Sequence, residues 1–135
     1  MIYSGVDNSF TGIGYDRAQF TGTNIHQAVL GDRSHGQMVQ QYFNTSLFTV
    51  NPAGTFGNMP TNALVGPGLF NQDFAAMKNF NILERYKLQF RAEFFNLFNN
   101  VNFNNPGRTV GAANFGKITS AGTPRILQFG LKLMF

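Results

Sequence analysis

Cysteine is absent from the 135-residue chain, so no disulfide framework, thiolate metal site or thiol redox centre can be built. Tryptophan is absent as well, and charged side chains make up only 12% of the sequence, about half the share usual in soluble domains. No run approaches the roughly 18 consecutive apolar residues that a membrane-crossing helix needs. Ten Lys and Arg against six Asp and Glu give a formal charge of +4. These basic residues, among them Arg33, Lys87, Arg91, Arg108 and Arg125, are scattered. No basic run is interleaved with aromatics, so nucleic acid is not an expected partner. What the chain has instead is phenylalanine, 16 of them, with 15 glycines and Asn-rich stretches around Phe95–Asn105. That composition fits a β wall with polar loops. A disordered tail would lack the aromatics.

The last eleven residues, Arg125 to Phe135, carry the clearest pattern. Side chains alternate between the two faces of a strand. Leu127, Phe129, Leu131, Leu133 and Phe135 therefore share one face, with Ile126, Gln128, Gly130, Lys132 and Met134 on the other. A strand of about 9–11 residues crosses a bilayer at the tilt of an outer-membrane barrel. The pattern fits a lipid-facing closing strand, and it also fits the buried edge of an ordinary sandwich.

Two further runs alternate upstream. In 70–83, Phe70, Phe74, Ala76, Phe80 and Ile82 share a face on which Gln72 and Lys78 are exceptions. In 86–98, Tyr86, Leu88, Phe90, Ala92 and Phe94 oppose Lys87, Gln89, Arg91 and Glu93, and the phase slips over Phe95–Phe98. A tight turn is expected at Glu84-Arg85. Residues 1–69 show no long alternation. After a strand remnant at Ile2–Tyr3 they are punctuated by turn signals at Asp7-Asn8, Gly12-Ile-Gly14, Asn51-Pro52, Ala53-Gly54 and Gly66-Pro-Gly68. Short ordered pieces are expected at Met38–Phe43 and Phe48–Val50.

The expected fold is all-β: antiparallel strands at about 70–83, 86–98 and 125–135 forming the closing part of a transmembrane β-barrel. Residues 1–69 and 99–124 become long extracellular loops of one partial barrel domain. If the last strand descends to the periplasmic edge, the short turn at 84–85 lies inside and both long connections lie outside, as in outer-membrane barrels. The opening Met-Ile-Tyr-Ser-Gly-Val-Asp lacks the basic and apolar regions of an export signal. The expectation is therefore a C-terminal piece of a longer chain.

Catalytic and metal chemistry find little support. His26 and His35 are nine apart in a polar region, and with Asp32 they have no ligand spacing. Asp7, Asn8 and Asp16 offer oxygens without an EF-hand spacing, so Asx-turn chemistry is favoured. Gly12-Ile-Gly14 and Gly66-Pro-Gly68 do not join a strand to a helix as a phosphate cradle must. No nucleophile elbow or orienting acid accompanies the serines. The expectation is a non-enzyme without catalytic residues, cofactor or metal. Lys87, Gln89, Arg91, Glu93, Gln128 and Lys132 occupy the non-lipid face and would be lumen-facing in a complete barrel. Asn96 and Asn99 are expected to end or bend their strand.

Several motifs carry a family resemblance. Gly57-Asn-Met-Pro-Thr-Asn-Ala-Leu-Val-Gly-Pro-Gly68, Phe70-Asn-Gln-Asp73, Lys78-Asn-Phe80, Leu88-Gln-Phe-Arg-Ala-Glu-Phe-Phe-Asn-Leu-Phe-Asn99 and Pro124-Arg-Ile-Leu-Gln-Phe129 resemble the C-terminal end of TonB-dependent receptors. The branch is the Oar-like group with a carboxypeptidase-regulatory-like domain. Gly5-Val-Asp-Asn-Ser9, Gly12-Ile-Gly14 and Asp16-Arg17 resemble the loop preceding these strands. The resemblance implies a bacterial outer-membrane location and energy-coupled uptake of an unknown ligand. It also implies three kinds of partner: outer-membrane lipid, the barrel-assembly machinery reading Leu127 to Phe135, and the remainder of the receptor with its plug and, through it, TonB. The plug, the TonB box and most strands of the family pattern are missing here. Two other readings stay open from the residues: a small soluble or surface β-sheet binding module, and a self-associating structural β-protein whose strand edges pair between chains.

Overall fold

The structure is a computed structural model describing every residue except Ile13, together with every side chain except those of Ile13 and Leu83. The Gly12-Ile-Gly14 motif thus lies partly outside the described residues. These residues fall into two compact units, one of 1–67 with 104–120 and one of 68–103 with 121–135.

The first unit takes up most of the stretch expected as a long loop over 1–69, and it is compact. It has its own apolar core of Ile2, Ala18, Ala28, Phe43, Phe48 and Met59, joined by Phe115 from 104–120. Phe43 meets Phe48 edge-on at 5.6 Å and Phe115 at 5.4 Å between ring centroids, the tilted geometries that aromatic pairs prefer. Regular elements are short: β1 (Gln19–Phe20) pairs antiparallel with β2 (Phe48–Thr49), and a helix α1 spans His35–Gln40. Ser34 and Gln37 form a capping box that starts α1. At the far end Arg33 donates to the carbonyls of Gln41 and Tyr42, satisfying acceptors the helix leaves open. Segment 56–59 lies against 17–18, with Arg17 N–H donating to Phe56 and Met59 N–H to Ala18. Gly57 is required there: its φ is +71°, and a Cβ would sit 2.0 Å from the Arg17 carbonyl oxygen. The core residues follow no single period, so alternation could not reveal them; turn residues dominate the local pattern while long-range contacts hold the unit.

The second unit is an antiparallel three-stranded sheet in the order β3 (Phe74–Leu83), β4 (Tyr86–Phe95), β5 (Ile126–Met134). Glu84 and Arg85 make the tight turn between β3 and β4. The register shifts between Asn81 and Leu83, a bulge beside that turn.

Strand ends differ from expectation for identifiable reasons. β3 begins at Phe74, not Phe70. β4 stops at Phe95, not Phe98, because Asn96 takes φ +51° and Asn99 φ +54°, left-handed conformations that no strand continues through. The loss of alternation at 95–98 is thus a turn. Asn102 fastens the returning chain, accepting Phe70 N–H at 2.9 Å and receiving Gly122 N–H on its carbonyl at 2.7 Å.

Candidate functional site

The sheet register converts three separate alternations into two continuous faces. On one face the cross-strand rows read Phe74–Phe94–Leu127, Ala76–Ala92–Phe129, Lys78–Phe90–Leu131 and Phe80–Leu88–Leu133. The rings are in contact: Phe74 with Phe94 at 6.0 Å, Phe90 stacked on Phe129 at 6.2 Å, and Phe94 edge-on to Phe129 at 6.2 Å. Among the described residues, nothing in the unit covers this face. Phe129 is 62% exposed, Leu131 71% and Leu133 53%, and Phe135, beyond the end of β5, is 94% exposed. Only Ala92, between the surrounding rings, is buried.

A contiguous apolar surface of this kind is not left to water by a stable soluble protein. At about 25 cal/mol per Å², each large apolar side chain moved from water to hydrocarbon gains roughly 1.5–3 kcal/mol. One residue breaks the pattern. Lys78 sits in the third of the four rows, with Phe90 as its cross-strand partner.

The reverse face is polar. Its rows are Ala75–Glu93–Gln128, Met77–Arg91–Gly130, Asn79–Gln89–Lys132 and Asn81–Lys87–Met134. The structure therefore brings Lys87, Gln89, Arg91, Glu93, Gln128 and Lys132 together on one surface. Gln89 donates to Asn79 Oδ1 at 3.0 Å, and Arg91 pairs with Glu93 two residues along the same strand. A Cβ at Gly130, opposite Arg91 in the register, would stand in open space.

At the loop end, the Asn-Leu-Phe-Asn element gathers all three strands. Asn96 is 3% exposed; its Nδ2 donates to Asn100 and Thr123 carbonyls at 3.0 and 3.2 Å, while its Oδ1 accepts Asn100 N–H at 3.0 Å. Asn99 Oδ1 accepts Arg125 N–H at 3.0 Å, just ahead of β5. Asp73, Asn102 and Arg33 serve as satisfiers of backbone groups that sequence reasoning did not single out. Only an Asn-x-x-Asn spacing after a strand hints at the paired left-handed turns.

In the first unit, Asp7 and Asp16 spend their oxygens on a loop clamp. Asp7 accepts Gly12 N–H at 2.7 Å and Thr11 N–H at 3.2 Å, with the Ser9 hydroxyl oxygen 3.1 Å away. Asp16 accepts the Ser9 hydroxyl and Ser9 N–H, both at 2.7 Å, and the Asn51 amide at 3.0 Å. The Gly12 N–H leads in holding Asp7 below its ordinary pKa, and the Ser9 hydroxyl leads for Asp16. This is Asx-turn chemistry, with N–H and O–H donors where a cation would need free oxygens. His26 lies in the 3-10 turn Ile25–Ala28 and His35 opens α1. Among the described residues no group of three or more His, Cys, Asp or Glu could hold a metal ion.

The same unit holds a mainly apolar cleft of about 550 Å³, lined by Val29, Leu30, Met38, Tyr42, Phe43 and Leu64 among others. Desolvation pushes the Tyr42 phenol up from its ordinary pKa, partly opposed by Arg33.

A family model described as an outer membrane beta barrel domain matches residues 1–128. The chain belongs to the outer-membrane β-barrel domain family. No curated protein and no solved structure matches it. Membership places this barrel domain in the bacterial outer membrane and accounts for an antiparallel sheet with an uncovered apolar face. The matched span takes in the first unit as well as β3, β4 and the start of β5, so the first unit falls within the matched barrel domain. No helix among the described residues is long and apolar enough to cross a membrane.

Proposed function

We propose that this barrel domain is wall and loop of a TonB-dependent receptor of the Oar-like branch, taking part in energy-coupled uptake of a ligand across the outer membrane. The observation that carries the reading is the register of the sheet. It sets every apolar alternation of 74–80, 88–94 and 127–133 on one face and every lumen candidate on the other. The first face, with Phe135 beyond it, meets lipid and carries the signal for the barrel-assembly machinery. Lys87, Gln89, Arg91, Glu93, Gln128 and Lys132 face the lumen and the plug of the complete receptor.

The motifs from Gly57 to Phe129 that resemble such receptors support the finer assignment. So does the contrast between the turn at 84–85 and the long connection between β4 and β5. Ligand contact falls to the first unit, which holds the mainly apolar cleft of about 550 Å³. No catalytic step belongs to this role.

The test is retention of the TonB periplasmic domain by detergent-extracted outer membranes that carry the natural gene with its flanking coding sequence. Specific retention, lost when residues 125–135 are deleted, is expected. A correctly inserted barrel that never retains TonB would reject the receptor assignment and leave the barrel.

A further inference from the structure

Lys78 is the feature of the sheet that the wall does not explain. It projects from the apolar face in a central row, with the rows of Phe74 and Ala76 on one side and the row of Phe80 on the other. Every complete neighbouring row is wholly apolar. Among the described residues the one ion pair joins Arg91 to Glu93 on the reverse face. The unit's remaining acids are Asp73, before β3, and Glu84, in the turn after it, at opposite ends of the strand. Among the described residues of this unit, no carboxylate thus stands beside Lys78 where hydrocarbon would be least tolerant of charge.

Lys78 also stands on an edge strand. The sheet order is β3-β4-β5, so β3 has one ladder neighbour and one free edge among the described residues. Backbone N–H and C=O groups in hydrocarbon must be paired, so that edge has to receive another strand. A strand laid there places its outward side chain about 4.5–5.5 Å, Cβ to Cβ, from that of Lys78.

We propose that the strand completing the free edge of β3 carries an Asp or Glu in the outward position opposite Lys78, and that this cross-strand ion pair fixes its register. The proposal rests on the lipid-facing reading of the wall. A one-residue slip would turn the acid to the lumen side and strand the lysine in lipid, so the pair selects one alignment. Lipid headgroups are a poorer partner, because the third of four rows lies too deep for a lysine to reach either interface with ease.

The experiment uses the natural gene with its flanking coding sequence, expressed in the outer membrane, and reads the heat-resistant folded fraction. Lys78→Arg is expected to stay near the unsubstituted level. Lys78→Met is expected to lower the folded fraction by about tenfold or more, since it leaves a carboxylate unpaired in the wall. Lys78→Met at or above the unsubstituted level would overturn the proposal, because a lysine facing lipid alone is improved by removal. Leu131→Asp, in the same row, tests the underlying reading separately. Its tolerance would remove the lipid-facing wall and the pair with it, whereas a damaging Leu131→Asp beside a harmless Lys78→Met sinks only the pair. A membrane-permeant carbodiimide should then join Lys78 to an Asp or Glu within an alternating strand segment, located by mass spectrometry. A link to a segment without strand alternation would overturn the edge assignment.

Discussion

The carboxylate of Asp73 accepts the backbone N–H of Asn96 at 2.9 Å, tying the residue before β3 to the residue after β4. Asn96 extends the tie through its buried amide to Thr123, just ahead of β5. Two side chains, those of Asp73 and of the left-handed Asn96, thereby hold the loop ends of three strands. Asn tolerates that conformation better than other non-glycine residues, and its amide supplies both donors and acceptor.

Asn96→Ala should therefore cost about 2–4 kcal/mol, from unsatisfied backbone groups together with a left-handed alanine. Asn96→Gly relieves the backbone and should fall between the two. Denaturant titration of detergent-folded protein, followed by far-UV circular dichroism because tryptophan is absent, measures both. Equal midpoints for Ala and the parent would show that the clamp carries no stability.

The sheet was largely legible in the sequence, and the first unit was not. Alternation is local, so Leu88 to Phe94 and Leu127 to Leu133 disclose their faces without knowledge of their neighbours. The strand ends needed more. Phe98 shares parity with Phe94, and only the left-handed Asn96 takes the chain off the sheet. Ile2, Ala18, Phe43, Met59 and Phe115 meet from distant positions with no period linking them. The polar side chains of Asp7 and Asn51, which suggested a solvated loop, are bonds that hold this unit together.

The absence of cysteine makes the two faces separable by single reporters. A bimane on Leu131→Cys should be quenched by lipids carrying a nitroxide along the acyl chain, and one on Arg91→Cys should be quenched by aqueous iodide instead. The two sites lie on adjacent strands within one residue of register, so depth is nearly matched and only the face differs. Equal quenching of both by the lipid probe would contradict a one-sided wall.

Acid should open the 7–16 clamp. Both carboxylates have folded pKa values below their ordinary value. A depressed carboxylate contributes stability in full above its unfolded pKa of about 3.9, and that contribution is lost as pH falls through the lower folded value. Amide exchange at Ser9, Thr11 and Gly12 should stay slow down to about pH 4 and, after correction for intrinsic rates, accelerate below it. Asp7→Asn should flatten the response at Thr11 and Gly12 more than at Ser9, whose N–H is held by Asp16. Acceleration beginning near neutral pH would assign the opening to a different group.

Phe43→Ala distinguishes a folded unit from a long loop. Phe43 is 4% exposed and touches both Phe48 and Phe115, so truncation removes the centre of an aromatic cluster built from segments far apart in sequence. Buried Phe→Ala changes typically cost about 3–5 kcal/mol through lost transfer energy and the cavity left behind. A unit this small has little stability to spare, so the expected result is rapid protease cleavage within 1–67 and 104–120. Strands β3 to β5, sheltered by detergent or lipid, should survive as a protected fragment. The paired control is Phe10→Ala, where the ring is 75% exposed and truncation removes little buried area. If Phe43→Ala and Phe10→Ala are cleaved at the same rate as the parent, the cluster does not hold these segments together and the first unit lacks a cooperative core.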